Sequence, residues 1–235
     1  MGRAYRVDRR GGSRGRLTGT KAGAPTRHPP QLAGAQTRET RERWIAMAKH
    51  VLAPQQVRVS GANNWMKLYD QDQLVGHASH WSVEWSEHGP GSTLFFWSSA
   101  TDNAPRLLTD NLNMAAWLLD ELESADSPFT TKASELVLAT FTVHNETPRR
   151  FAVTAAFDGD HQVDVIWDDL SAPVWGNTEL ESNETHSHSS CYVPATTAQM
   201  IVDGVSSAGM ALPEDWFGTP SSSAFLAQSE VWLRH

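Results

Sequence analysis

From Leu52 onward the chain alternates apolar and polar residues with period two through most of its length, with Gly, Pro, Asn and Asp at the breaks. A chain with that period presents one continuous apolar face only as extended strands, so it must fold into antiparallel sheet. The alternation places strands near 55–60, 64–69, 73–86, 92–100, 134–146, 150–158, 161–168, 186–193, 198–206 and 223–233. One segment departs from it. TDNLNMAAWLLDELESA, residues 109–125, puts Leu112, Ala115, Ala116, Leu119 and Leu122 on one helical face, with Thr109 or Asp110 placed to cap the first turn. Many strands and one amphipathic helix predict a mainly β fold, all-β or α+β: a single curved antiparallel sheet or barrel with the helix near 109–125 against it.

Register can be read in RFAVTAAFDGDHQVDVIWD, residues 150–168. A two-residue turn at Asp158-Gly159 would set Phe157 against Asp160 and Val153 against Asp164, bringing acids onto the apolar face. A three-residue loop, Asp158 to Asp160, instead pairs Phe157 with His161, Ala155 with Val163, Val153 with Val165 and Phe151 with Trp167, and this register is the expected one. Phe95, Phe96 and Trp97 are consecutive and bulky, which predicts a central strand covered on both sides.

Charge divides the chain. Residues 1–50 hold 12 Lys and Arg against three acids, a net +9, whereas residues 51–235 hold seven against 24, a net −17; together they give the −8 of the whole. The first segment is rich in Gly, Arg and Pro and poor in large apolar residues, so a disordered basic tail is expected over 1–50, with Met47 as an alternative start, ahead of one β-rich domain over 51–235. That tail is the only segment suited to nucleic acid or anionic lipid. A single cysteine, Cys191, leaves no intrachain disulfide framework, and no apolar run reaches the ~20 residues that cross a bilayer; a cytoplasmic protein without membrane contact is expected.

The motifs narrow the chemistry. His77, His80 and Glu84 have the spacing of a helical metal site, but on a strand His77 and His80 face opposite sides, and His80 and Glu84 lie roughly 13 Å apart, too far for one ion. His77 shares a face with Trp81, Val83 and Trp85, where it is either a buried neutral imidazole or a group that orients a ligand or transfers a proton in an apolar pocket. His144 lies on a more polar face with Thr140 and Thr142. His186 and His188 leave one strand face together, a spacing that allows co-ligation, yet no third ligand follows, so no metal site and no cofactor are assigned. Glu84 with Glu87, and Asp168 with Asp169, could pair as glycosidase carboxylates, but neighbouring strand residues diverge, and solvated edges fit better.

These features suit a protein that binds a small, mostly apolar organic molecule in an antiparallel β cavity; its catalytic form is a cofactor-free lyase, isomerase or cyclase working by histidine proton transfer. The candidate residues are His77 and His144 for chemistry and Trp81, Trp85, Trp97 and His188 for the ligand. Two other classes compete: a carbohydrate-binding or carbohydrate-cleaving β-sandwich with tryptophan platforms, for which ten Trp supply material, and a non-catalytic structural or partner-binding domain. Oligomeric state is left open.

Overall fold

The computed structural model describes residues 57–122, 129, 135–178, 186–216 and 219–234; the expectations for the basic N-terminal segment lie outside them. The strands are β1 (Val57–Asp70), β2 (Gln73–Ser86), β3 (Gly91–Ser98), β4 (Arg106–Thr109), β5 (Leu136–Thr147), β6 (Arg150–Phe157), β7 (His161–Leu170), β8 (Val174–Thr178), β9 (His186–Val202), β10 (Val205–Ser206), β11 (Pro213–Trp216), β12 (Thr219–Ser222) and β13 (Ala224–Arg234), with one helix, α1 (Leu112–Glu121). Nine strands in the order β9-β13-β1-β2-β3-β4-β5-β6-β7 close into a barrel, because β7 also pairs with β9. Every neighbouring pair is antiparallel except β4 and β5. A parallel pair needs a crossover, and the chain between these two strands carries α1.

Closure gives the sheet two apolar layers. Inside the barrel lie Met66, Leu68, Ala78, Leu94, Phe96, Val153, Val165, Trp167 and Met200. Trp167 is fully buried there and donates its indole N–H to the carbonyl of Trp65 at 2.9 Å, so its one polar atom is satisfied. Outside, Val59, Trp81, Val83, Phe95 and Leu107 pack with Met114, Ala115 and Leu118 of α1 and with Phe129. Phe95 and Phe96 are thus both buried on opposite sides of β3, as the central-strand reading requires.

The hairpin register is the expected one: Phe157 pairs with His161, Ala155 with Val163, Val153 with Val165 and Phe151 with Trp167. Asp158 and Gly159 take positive φ, 44° and 83°, which the short polar and glycine positions accept.

Elsewhere the structure corrects the sequence reading. The described part of 55–60, from Val57, and 64–69 belong to one long strand, as do 186–193 and most of 198–206, while β4, β8, β11 and β12 are too short, at four or five residues, to show an alternation. The helix begins three residues later than its predicted start. Asn111 caps it, its side-chain oxygen accepting from the Met114 amide at 3.2 Å, because the other two candidates are engaged: the Asp110 carboxylate accepts the Ser92 amide at 2.7 Å, and the Thr109 hydroxyl donates to the Ser92 carbonyl at 3.0 Å. The buried stripe is Met114, Ala115 and Leu118, leaving Leu112 43% exposed. LNMAAWLLDEL is apolar around much of its circumference, so periodicity alone could not choose the stripe, and the Phe95–Leu107 face did.

Candidate functional site

The barrel wall separates the expected site residues. His77 is buried on the outer face, its ring 4.4 Å from Trp65 and 4.9 Å from Phe129. Burial, with a smaller contribution from Lys67, lowers its pKa to about 3, so the ring is neutral; its Nε2 has no hydrogen-bond partner, and none of the described cavities is lined by it. Trp97 pairs with His77 across β2 and β3, and Trp81 lies on the same outer layer, 6.2 Å from Trp232. His188 stacks on Trp232 at 4.5 Å and shares a 2.8 Å hydrogen bond with the Tyr192 hydroxyl. Trp81 and His188 therefore meet one tryptophan. His144 lies apart from them, exposed on β5, 3.2 Å from the Thr154 hydroxyl, which donates to Asp164 at 2.6 Å. His186 turns to Glu121 at 3.1 Å, and among the described residues no three His, Cys, Asp or Glu side chains are grouped to hold a metal. Of the acidic residues weighed as glycosidase partners, three are held by arginine, Glu87 by Arg58, Asp168 by Arg150 and Asp169 by Arg149, while Glu84 is in no ion pair among the described residues.

Trp85 does not share the face of His77 and Trp81. Gly61 pairs with Val83 and Ser60 with Trp85, so Glu84 is an extra residue in β2 and the alternation skips a beat there. Cross-strand partners lie on one face, and Trp85, 46% exposed, follows Ser60 to the inner rim of the barrel.

Ser60 lines a cavity of about 360 Å³ at this mouth. Its walls are Ser60, Gly61, Ala62 and Asn64 from β1, Ser82 and Glu84 from β2, Val143 from β5, Phe151 from β6, and Gln228 to Val231 from β13. β1 and β2 are not neighbours of β5 and β6 in the sheet, so one cavity touching all four lies in the lumen. Three consecutive strands are irregular here. β2 bulges at Glu84; β13 carries an extra residue between Gln228 and Val231, where Ser229 takes φ 52°; and between them Gly61 takes φ 155° with the place of its missing Cβ only 2.1 Å from the Ser82 carbonyl oxygen. Bulges interrupt pairing and re-aim side chains, and grouped strain of this kind marks functional sites.

A polar line forms part of the cavity wall and continues beneath it. Gln228 donates its amide N–H to Asn64 Oδ1 at 3.0 Å, and Asn64 donates from Nδ2 to His80 Nδ1 at 3.2 Å. His80 is fully buried, with Phe141 and Phe151 at 6.2 and 6.5 Å, and burial lowers its pKa to about 4. Its ring is therefore neutral, and since Nδ1 accepts, the proton sits on Nε2, which has no partner. Buried polar groups without partners are costly, so this line fixes the amide orientations rather than adding stability.

On the other side of β13, the buried Glu230 carboxyl accepts the Trp232 indole N–H at 2.5 Å and a further bond from Ser190; burial outweighs both bonds and raises its pKa to about 7.

His80 and Glu84 were placed on one face by alternation, but the richer apolar face, with Trp81 and Val83, drew the site prediction outward. The usable signal was size. Gly76, Ala78 and Ser82 share the His80 face, and small residues are what the concave side of a narrow barrel accommodates. Asn64 and Gln228 carried no such signal.

No protein-family model matches the chain, and no curated protein or solved structure shows significant similarity to it.

Proposed function

We propose that this protein binds a small, mostly apolar organic molecule in the lumen of its barrel, entering at the mouth formed by β1, β2 and β13. The observation that carries this reading is the cavity itself: about 360 Å³, walled by side chains from opposite sides of the barrel, with apolar Val143, Phe151 and Val231 around a fixed Asn64–Gln228 pair. Its volume is within the range of small-molecule sites, and its lining is divided between those apolar side chains and polar Ser60, Ser82, Glu84 and Ser229. A sugar platform would present several exposed tryptophans on one surface, and among those described only Trp85 and Trp175, on strands β2 and β8, are exposed.

The test is to fill the lumen. Ala62→Trp projects an indole into the cavity, and a panel of small aromatic molecules is screened by saturation-transfer NMR against both proteins. Binding to the parent chain that disappears in a folded Ala62→Trp variant is the expected result. Equal binding to both would place the ligand elsewhere.

A further inference from the structure

The lining of the lumen has a sign. Among the described residues that form it there is no Lys, Arg or His, while Glu84 projects at the rim and is absent from every ion pair and side-chain hydrogen bond among the described residues. The other acid on that wall, Glu230, is engaged with Trp232 and Ser190 on the far side of the strand. Phe151 of β6 lines the same cavity as Glu84, and Trp85, half exposed, follows Ser60 on the same inner rim. A carboxylate and aromatic rings at the open end of one cavity are an arrangement that receives an organic cation: the carboxylate supplies the counter-charge and the ring faces their quadrupole. An anionic ligand would meet no opposite charge and would leave its own desolvation uncompensated.

From this juxtaposition, and resting on the lumen as the binding site, we infer that the ligand is an amine with an apolar or aromatic body, its ammonium group at Glu84 and its body against Phe151 and Val143. The bulge at Glu84 is the device that sets this up, because it brings Glu84 and Trp85 to the mouth in succession where a regular strand would divide them between two faces. The net −17 of residues 51–235 favours encounter with a cation over an anion.

Three probes with a common phenylethyl body separate the possibilities on the full chain at pH 7: 2-phenylethylamine, 2-phenylethanol and 3-phenylpropanoate, titrated calorimetrically into the parent protein, Glu84→Gln and Ala62→Trp. The amine should bind about tenfold more tightly than the alcohol, as one exposed ion pair together with ring contact allows, with the acid weakest; Glu84→Gln should remove most of that advantage and leave the alcohol unchanged. Equal affinities, a preference for the acid, or an amine preference undiminished in Glu84→Gln would overturn the inference. In those cases binding that is lost in Ala62→Trp would keep the lumen as the site, whereas failure of all three probes to bind would overturn the lumen reading as well.

Discussion

Gly61→Ala should lower stability by roughly 3 kcal/mol or more and abolish binding in the lumen, because both the space and the backbone angle at this position are closed to a side chain. A methyl group there would stand 2.1 Å from the carbonyl oxygen of Ser82 and 3.0 Å from the Ser82 carbonyl carbon and the Val83 Cα, all backbone atoms of the paired strand β2. No rotamer change can relieve such a contact; the two strands must separate at the level where the cavity opens. Gly159 supplies the internal comparison. It also has positive φ, 83°, but a Cβ would meet nothing within 4 Å, so Gly159→Ala should cost only about 1 kcal/mol. Thermal unfolding of both variants, a drop of about 6–12 °C against a few degrees, checks the contrast. Similar losses in the two would mean that close approach at Gly61 is not what shapes the rim.

The second large effect is on acid stability. His77 and His80 are held neutral by burial, with pKa values near 3 and 4 against 6.5 in the unfolded chain. Below pH 6.5 the unfolded chain takes up two protons that the native protein refuses, and each unmatched proton removes about 1.4 kcal/mol per pH unit. Glu230 acts in the opposite sense. Its folded pKa near 7 lies above the unfolded 4.5, so the native protein holds a proton that the unfolded chain has released, and this contribution is lost as pH rises from 4.5 through 7. Between pH 6.5 and 4.5 two protons oppose one, and the net loss on acidification is roughly 3 kcal/mol. Glu230→Gln keeps an oxygen for the Trp232 indole and removes the titration. It should therefore be more stable than the parent by roughly 3 kcal/mol at pH 8 and nearly equal to it at pH 4.5, measured by urea unfolding. A variant less stable than the parent at pH 8 would show that the ionised carboxylate stabilises the folded protein, contrary to the raised pKa.

The parts of this fold that were legible in the sequence are those where one local period decides the outcome. Phe151, Val153, Val163 and Val165 could share a face in only one register, and that register formed. Phe95 and Phe96 required cover on both sides of one strand and received it, from α1 and from the lumen. What alternation could not decide was which face of β2 turns inward. Both are buried once the barrel closes and the helix packs outside, so Trp81 and Val83 looked like an interior while His80, Ser82 and Glu84 looked like a surface. The bulge at Glu84 was hidden for another reason: it depends on the pairing of β1 with β2 and leaves no mark in WSVEWSE itself. Asn64 and Gln228 lie 164 residues apart and meet only because β13 pairs with β1 across the closed sheet.

The claim that the lumen is the ligand site is tested most directly by a crystal of the full chain soaked with a bromine-labelled aromatic molecule small enough for a 360 Å³ cavity. Anomalous scattering from bromine should appear inside the barrel, between Phe151, Gln228 and Glu84. A bromine site confined to the outer layer around His77, Trp81 and Trp97, with the lumen unchanged, would contradict it.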